Sequence, residues 1–290
     1  MNEYLNSIIN TAICGNCVDV MKRFPENSIN LIVTSPPYNV GIQYDVYKDD
    51  ELTIDEYFDW CLTWLKECYR VLDTDGRIAI NVPYEIGLKS RGGRYFMSAE
   101  FYHLLLQAGF KFFGLVDLDE QTPHRVKLTS WGSWMSSSSP YIYNPKECVM
   151  LFYKETHIRK KPGISWIPIG EEKVVNPETG KVKVKPIYSD EQKKEFTDLV
   201  FARWSYTAEK KCLTKACFSA DIPRNAIKIL SYEHDIVLDP FGGSGTTAIM
   251  AEILKRRWIS IDISQNYTNI TNKRIHQYRW GKKEIDLVEK

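Results

Sequence analysis

The segment Asp239-Pro-Phe-Gly-Gly-Ser-Gly-Thr-Thr has the composition of a loop that holds a nucleoside-type cofactor. Its glycines have no Cβ, so the backbone can turn tightly and approach a ligand closely. A predicted strand, Asp235–Leu238, precedes the loop, and a predicted helix, Thr246–Arg257, follows it and offers the free N–H groups of its first turn. The loop residues expected to contact the cofactor are Asp239, Phe241, Gly242, Gly243, Gly245 and Thr246.

An acidic residue completes this pattern. Asp262 ends the next predicted strand, Trp258–Ile261, and an acid at this position of a nucleotide-type site accepts hydrogen bonds from ribose hydroxyls. A glycine-rich turn without a ligand is the simpler alternative, but strand, loop, helix, strand and acid in this order favour a cofactor. The last glycine is not followed by Lys, which argues against an ATP-type phosphate loop, and a second glycine cluster for a dinucleotide is missing.

The segment Thr34-Ser35-Pro36-Pro37-Tyr38-Asn39 follows another predicted strand, Ile29–Val33, and its two prolines make it rigid. It could be only a stiff turn with Tyr38 as a hydrophobic lid. Chemistry offers a second interpretation, because the exocyclic amino nitrogen of cytosine or adenine is a poor nucleophile whose lone pair is delocalised into the ring. Ser35 Oγ and the Pro36 carbonyl could accept hydrogen bonds from both amino protons and favour a pyramidal nitrogen, while Tyr38 stacks on the extruded base.

Taken together, the two segments resemble those of the DNA amino-methyltransferases. The catalytic segment comes first and the cofactor loop lies near the C-terminus, which is the circularly permuted order of the β class, and the resemblance spans nearly the whole chain. Cys14-Gly15-Asn16-Cys17 resembles the N-terminal stretch of that family, although many relatives have Asp where this chain has Asn16. Phe218-Ser-Ala-Asp-Ile-Pro loosely resembles the motif that flanks the cofactor loop. The resemblance implies that Asn16 contacts the adenine of the cofactor and that Phe218 lies beside it.

The resemblance implies a site-specific enzyme that uses S-adenosylmethionine to methylate a base flipped out of double-stranded DNA. Ser35, Pro36, Pro37 and Tyr38 would form the catalytic segment, and transfer to the amino nitrogen would be direct and in line. Ser before the two prolines is the commoner form in cytosine-N4 enzymes and Asp in adenine-N6 enzymes. We therefore expect N4 of cytosine as the target, with N6 of adenine as the alternative. The sequence has no Pro-Cys pair, which argues against methylation of carbon 5 of cytosine.

Two further alternatives stay open at this stage. One is a methyltransferase that acts on RNA, and the other is a cofactor-binding or recognition subunit without catalysis. The intact Ser35–Tyr38 segment and glycine loop argue against the second. The usual setting of the family is restriction–modification, so a cognate restriction endonuclease that acts on the same DNA site is a further partner to consider.

The elements around these segments predict how they are brought together. The predicted strands are Ser7–Ile13, Ile29–Val33, Arg77–Val82, Phe112–Leu118, Glu147–Tyr153, Asp235–Leu238 and Trp258–Ile261, and further helices are predicted at Ile54–Leu72 and Phe101–Ala108. Their alternation predicts an α/β fold with a doubly wound, mostly parallel sheet, which the resemblance specifies as the seven-stranded, permuted methyltransferase type. Asn16, Ser35, Asp239 and Asp262 would then share one edge of the sheet, because each lies at or just past a strand end.

The stretch 154–215 interrupts this rhythm, because its apolar periodicity fades while Pro, Gly and charge increase. Its fourteen Lys and Arg against nine Asp and Glu give it a net charge of +5. We expect a target-recognition insertion here, between a catalytic half (1–153) and a cofactor-binding half (216–290) of one methyltransferase domain. The candidate DNA contacts are Arg159, Lys160, Lys161 and Lys183, together with Trp131 and Ser133 of a Ser/Trp-rich segment near the target base.

Composition excludes several other classes of protein. The chain has 290 residues, a net charge of +1, and 26% charged residues, as in an ordinary soluble globular protein. It has no apolar run of membrane-spanning length and no signal-peptide pattern. Seven cysteines, scattered and odd in number, favour a cytoplasmic location, and Cys14-x-x-Cys17 lacks the second tight pair expected of a zinc site. We expect no metal, no membrane, and a monomer or homodimer.

Overall fold

The computed structural model describes residues 3–48, 52–88, 93–120, 136–138, 144, 146–206 and 219–281. In chain order the elements are α1 (Glu3–Ile8), β1 (Thr11–Cys14), α2 (Cys17–Met21), β2 (Ile29–Thr34), α3 (Ile54–Val71), β3 (Leu72–Pro83), β4 (Ile86–Leu88), β5 (Gly93–Tyr95), α4 (Met97–Gln107), β6 (Lys111–Glu120), β7 (Glu147–Tyr153), β8 (Gly170–Val175), β9 (Val182–Ile187), α5 (Asp190–Val200), β10 (Ser205–Tyr206), α6 (Asp221–Leu230), β11 (Ile236–Asp239), α7 (Thr246–Ile253), β12 (Arg257–Asp262) and α8 (Gln265–Arg279).

The central sheet has the strand order β1-β12-β11-β2-β3-β7-β6-β10. All neighbouring pairs are parallel except those of β7, which runs antiparallel to both β3 and β6. The seven predicted strands all belong to this sheet, and β10 adds two residues at its edge. The predicted doubly wound, mostly parallel α/β fold is therefore confirmed.

Alternation along β2 explains why the sheet needs cover on both faces. Ile32 packs into a core with helices α2, α3 and α4, whereas Leu31 and Val33 pack into a second core with α6, α7 and α8. Helix α3 begins at a capping box, in which the Thr53 side chain accepts from the Glu56 backbone and the Glu56 side chain accepts in return. The buried residues of α3 recur at three- and four-residue spacing, so they form one apolar stripe that lies against the sheet.

Several element boundaries differ from their predictions. The N-terminal apolar run is not one strand, because α1 ends at Ile8 and β1 begins only at Thr11. The helix after the glycine loop ends at Ile253 rather than at residue 257, because Lys255 turns with a φ of +60° and β12 begins at Arg257. The strand predicted at Arg77–Val82 begins earlier, at Leu72, and its register against β2 shifts between Ile29 and Leu31.

The predicted insertion is more regular than expected. Strands β8 and β9 form an antiparallel hairpin with exposed side chains on both faces, so its sequence shows no one-sided periodicity. Helix α5 begins at a second capping box, formed by Ser189 and Gln192. Glu195 ties α5 to α6 through Arg224 and Lys228, which places the insertion against the face of the sheet covered by α6. None of the helices in the described ranges is long and apolar enough to cross a bilayer.

Candidate active site

The ends of β2 and β11 are joined by a buried hydrogen bond. Thr34 Oγ1 donates to Asp239 Oδ1 over 2.7 Å, and the backbone N–H of Phe241 donates to the same oxygen over 3.1 Å. Both Thr34 and Asp239 are fully buried. The parallel pairing of β2 and β11 thus brings the Ser-Pro-Pro-Tyr segment beside the glycine loop, although about two hundred residues separate them in the chain.

The glycine loop has a conformation that other residues would resist. Gly245 has a φ of +78°, and a Cβ added there would lie 2.4 Å from Thr271. Below the loop, the buried Arg274 of α8 donates from Nη1 to the Ser244 carbonyl over 2.6 Å and to Ser244 Oγ over 3.0 Å. The predicted residues Gly242, Gly243 and Thr246 lie in this braced turn, which leads directly into α7. Sequence reasoning missed Arg274, which lies in no recognised motif.

Asp262 links the loop to β12 and β1. Its Oδ2 accepts from the Gly243 backbone over 2.9 Å and its Oδ1 from the Ser264 backbone over 2.8 Å, while its own carbonyl accepts from Gly15. Burial raises the pKa of Asp262, and the two backbone hydrogen bonds oppose that rise. Each carboxylate oxygen retains a further lone pair, so hydroxyl groups of a ligand can still donate to it.

Asn16 is exposed and lies at the start of α2. Its Oδ1 accepts from the backbone N–H groups of Val18 and Asp19, at 2.9 and 3.4 Å, which makes Asn16 the N-cap of that helix. Because Cys14 pairs with Asp262 across the two strands, Asn16 and Asp262 lie at the same sheet edge, as predicted. Asn and Asp cap a helix about equally well, so an Asp at this position could hold the same two N–H groups.

A short loop after the Ser-Pro-Pro-Tyr segment approaches the same edge of the sheet. Gln43 and Lys48 form a bridge, and the rings of Tyr44 and Tyr47 stack 5.1 Å apart within it. Asp45 Oδ2 accepts from Ser264 Oγ over 2.6 Å, directly beyond Asp262. This contact, which the sequence did not predict, connects the loop that follows the Ser-Pro-Pro-Tyr segment to the residues just beyond Asp262.

The Ser-Pro-Pro-Tyr segment is held by hydrogen bonds from below. Ser35 Oγ lies 2.7 Å from the Tyr38 hydroxyl, and that hydroxyl donates to the backbone carbonyl of Asn81 over 2.8 Å. The Tyr57 hydroxyl of α3 donates to the Pro37 carbonyl over 2.8 Å. Pro36 is buried, while Ser35, Pro37 and Tyr38 are half-buried. The segment therefore has a fixed shape and a partly open surface.

Two polar residues behind this segment escaped the sequence analysis. Asn81 lies near the end of β3 and Glu147 begins β7, and Asn81 Nδ2 donates to Glu147 Oε2 over 2.6 Å. Because β7 is antiparallel to its neighbours, its first residue lies at the edge where the parallel strands end. A signal was present, since Asn81 is the one polar residue in the apolar run 78–82.

Phe241 packs away from the loop backbone. Its ring lies edge-on to Trp64, with centroids 5.0 Å apart, and to Trp60, with centroids 5.6 Å apart. Both tryptophans belong to α3, so this contact fixes the distance between the glycine loop and the helix that holds Pro37.

The charge of the site fits a cationic cofactor. Burial raises the pKa of Asp239 from 3.8 to about 6, although hydrogen bonds from Thr34 and Phe241 oppose the rise. The partners that the described residues give this carboxylate are one hydroxyl and one backbone N–H, with no cation among them. A ligand with a sulfonium and an ammonium group would supply the missing positive charge, and Asp262 offers acceptors for ribose hydroxyls. The residues present therefore fit S-adenosylmethionine.

The structure places the predicted DNA contacts in different environments. Arg159 is wrong as a phosphate contact, because its side chain is 9% exposed and forms ion pairs with Asp75 and Asp235. It fastens the start of the insertion to the sheet instead. Lys160 is exposed and its Nζ donates to Thr74 Oγ1, while Lys161 and Lys183 are exposed. Trp131, Ser133 and the predicted cofactor contact Phe218 lie outside the described residues.

Comparison with known sequences gives a family for this site. The model of the N6_N4_Mtase family, described as DNA methylase, matches residues 29–273. Type II methyltransferase M.MjaVI of Methanocaldococcus jannaschii is 35% identical over 187 residues, which cover 64% of this chain and 81% of that protein. Type II methyltransferase M.ScaI of Streptomyces caespitosus is 25% identical over 267 residues, which cover 90% of this chain and 79% of that protein.

Solved structures share the fold. A candidate DNA modification methylase from Thermus thermophilus, in complex with S-adenosyl-L-methionine, has a TM-score of 0.65 and 21% identity over 92% of this chain and 93% of that one. PvuII DNA methyltransferase (cytosine-N4-specific) has a TM-score of 0.57 and 21% identity over 90% of this chain and 84% of that one. The matched family model spans both the Ser-Pro-Pro-Tyr segment and the glycine loop, and the chain therefore belongs to the N6_N4_Mtase family of DNA methylases.

Proposed function

We propose that this DNA amino-methyltransferase modifies N4 of cytosine in double-stranded DNA. The observation that carries the choice of base is the neutral hydroxyl of Ser35 at the head of the Ser-Pro-Pro-Tyr segment, where adenine-N6 enzymes more often have Asp. The cytosine-N4 specificity in the name of the PvuII enzyme, which shares the fold, agrees with this choice. The methyl donor is S-adenosylmethionine, which supplies an electrophilic methyl group on a sulfonium sulfur.

The residues that would hold the donor come from three strand ends. Asp262 would accept from its ribose hydroxyls, and Asn16 would contact its adenine. Asp239, which is fully buried and has no cation beside it among the described residues, would face its positive charge. The glycine loop would let the backbone approach it, and the conformation of that loop depends on Gly245 and on the brace from Arg274.

The catalytic segment would prepare the amino group for transfer. Ser35 Oγ and the Pro36 carbonyl would each accept one amino hydrogen, which pulls the nitrogen toward a pyramidal geometry and frees its lone pair. The proline pair and the bond from Tyr57 to the Pro37 carbonyl keep these acceptors in place, so little reorganisation is needed. Tyr38 is half-buried, and its ring would stack on the flipped base.

The insertion would carry the DNA contacts. Lys161 and Lys183 are exposed, and Lys183 lies on the β8–β9 hairpin, whose two strands have the width of a ribbon that enters the major groove. The net charge of +5 on residues 154–215 supports this assignment. A cognate restriction endonuclease would read the same DNA site, as the setting of the family suggests.

The test is to incubate the protein with labelled S-adenosylmethionine and duplex DNA, digest the DNA, and identify the modified nucleoside by mass spectrometry. We expect N4-methylcytosine, and N6-methyladenine instead would contradict the proposed base while preserving the family. The Ser35→Ala variant is the matched control, because it removes one hydroxyl and leaves the proline pair intact. Wild-type turnover in that variant would contradict the role of Ser35.

A further inference from the structure

The hydroxyl of Ser35 can serve the proposed reaction in only one orientation. A serine oxygen has one proton to donate and two lone pairs to accept with. To accept from a target amino group, Ser35 Oγ must turn its own proton elsewhere. Its contact with Tyr38, 2.7 Å away, is where that proton can go.

The partners of Tyr38 decide the direction of this bond. The Tyr38 hydroxyl has a single proton, and it donates that proton to the backbone carbonyl of Asn81 over 2.8 Å. A carbonyl can only accept, so the tyrosine proton is committed. Ser35 must therefore be the donor in its bond to Tyr38, which leaves both lone pairs of Ser35 Oγ for a ligand. Burial raises the pKa of Tyr38 well above 10.0, so its hydroxyl keeps its proton at neutral pH.

Glu147 fixes the orientation of the Asn81 side-chain amide, which is the other neighbour of the Tyr38 hydroxyl. Its Oε2 accepts from Asn81 Nδ2 over 2.6 Å, and a carboxylate oxygen rejects the alternative amide orientation with Oδ1 toward it. The same Nδ2 also donates to the Tyr38 hydroxyl oxygen over 3.3 Å. In this orientation of the amide, Asn81 Oδ1 is buried and accepts from none of the described residues. An unpaired buried acceptor costs on the order of 1–3 kcal/mol, so stability alone does not explain this arrangement.

We propose that Glu147, Asn81 and Tyr38 are positioning residues that turn the Ser35 proton away from the cleft, so that Ser35 Oγ meets the target amino group as an acceptor. This inference rests on the proposed function of Ser35. It adds a role for the Tyr38 hydroxyl that is separate from stacking by its ring, and a role for a carboxylate that lies in neither sequence motif.

The experiment is a double-mutant cycle on the single-turnover rate of methyl transfer, with Tyr38→Phe and Ser35→Ala alone and together. Phe keeps the aromatic ring and removes only the hydroxyl. We expect Tyr38→Phe to lower the rate about 10- to 100-fold while the affinity for S-adenosylmethionine stays unchanged. In the Ser35→Ala background the same change should alter the rate by less than about twofold, because the chain acts only through Ser35.

Two further variants separate this chain from a general loosening of the segment. Tyr57→Phe removes another hydroxyl, the one bound to the Pro37 carbonyl and not to Ser35, so its effect should be equal in both Ser35 backgrounds. Glu147→Gln should lower the rate in the wild-type background and have no effect with Ser35→Ala. Cofactor binding by each variant reports that it has folded.

The possible outcomes are distinct. Equal factors for Tyr38→Phe in the two backgrounds, or a rate for Tyr38→Phe within about twofold of wild type, would overturn the positioning chain. If the wild-type protein methylated no DNA, the proposed function itself would fail before any variant is compared.

Discussion

Replacing Asp239 by Asn should stabilise the protein and weaken its cofactor binding at the same time. The shift in the pKa of Asp239 from 3.8 to about 6 means that the folded state disfavours the ionised carboxylate. At about 1.4 kcal/mol per pKa unit, that shift corresponds to a penalty of about 3 kcal/mol above pH 6. Asn keeps an oxygen to accept from Thr34 and Phe241, so it removes the charge and preserves both hydrogen bonds.

The sign of the pH dependence follows from the raised pKa. A carboxyl group with a folded pKa above its unfolded value costs nothing below about pH 4, and its penalty is complete above about pH 6. The stability advantage of Asp239→Asn should therefore be about 1–3 kcal/mol at about pH 7.5 and shrink toward zero near pH 4. Urea unfolding at the two pH values measures it. Asp190→Asn, at a side chain that is 94% exposed, is the control and should change stability by less than about 0.5 kcal/mol.

Cofactor binding should change in the opposite direction. The affinity of the wild-type protein for S-adenosylmethionine should rise with pH up to about 6, because the ionised carboxylate is the form that faces a cation. Asp239→Asn should lose that pH dependence and bind at least about 10-fold more weakly, a difference of about 1.4 kcal/mol. S-adenosylhomocysteine, which has no sulfonium charge, should lose less. The reasoning is refuted if the variant is less stable than wild type at about pH 7.5, or if its advantage is the same at both pH values.

Three other outcomes are expected. Lys161→Ala and Lys183→Ala should each reduce the slope of log affinity for DNA against log salt by about 0.9, and an unchanged slope would remove that lysine from the phosphate contacts. Arg274→Met should raise the Kd for S-adenosylmethionine at least about 10-fold and leave the affinity for DNA unchanged, since the bonds it breaks hold the glycine loop. Gly245→Ala should abolish cofactor binding, because its new Cβ would meet Thr271. The control is Gly180→Ala, which has a similar φ of +66° but open space around its Cβ and should cost only about 1 kcal/mol of stability. Equal effects of the two substitutions would show that the contact with Thr271 is unimportant.

Sequence reasoning found the fold because its evidence was local. Each central strand is a short apolar run next to a turn signal, and the stripe of α3 repeats with the period of a helix. The order of the two motifs then placed Ser35, Asp239 and Asp262 at one edge, and the bond from Thr34 to Asp239 shows how closely two of those strand ends approach. The insertion was harder, because a hairpin exposed on both faces has no hydrophobic side to detect.

The side-chain partners of these residues could not be predicted from the sequence, for a different reason. Arg159 belongs to a basic stretch, and only the fold shows that Asp75 and Asp235 converge on it from other elements. Glu147 looks like the polar start of an ordinary strand until the antiparallel course of β7 brings it behind Tyr38. Charge and spacing identify residues that can act, whereas the partners that decide how they act come from distant parts of the chain.

Buried polar groups differ in how well the protein satisfies them. The buried Lys154 donates to three oxygen atoms, so its ammonium group is fully matched within the fold. Among the described residues, Asp239 has no cation beside it and Asn81 Oδ1 has no donor. Each of these two features lowers stability by on the order of 1–3 kcal/mol. A cationic ligand would offset the first of them, so S-adenosylmethionine should raise the unfolding midpoint of the wild-type protein more than that of Asp239→Asn. Equal increases would mean that the buried carboxylate serves the fold and not the cofactor.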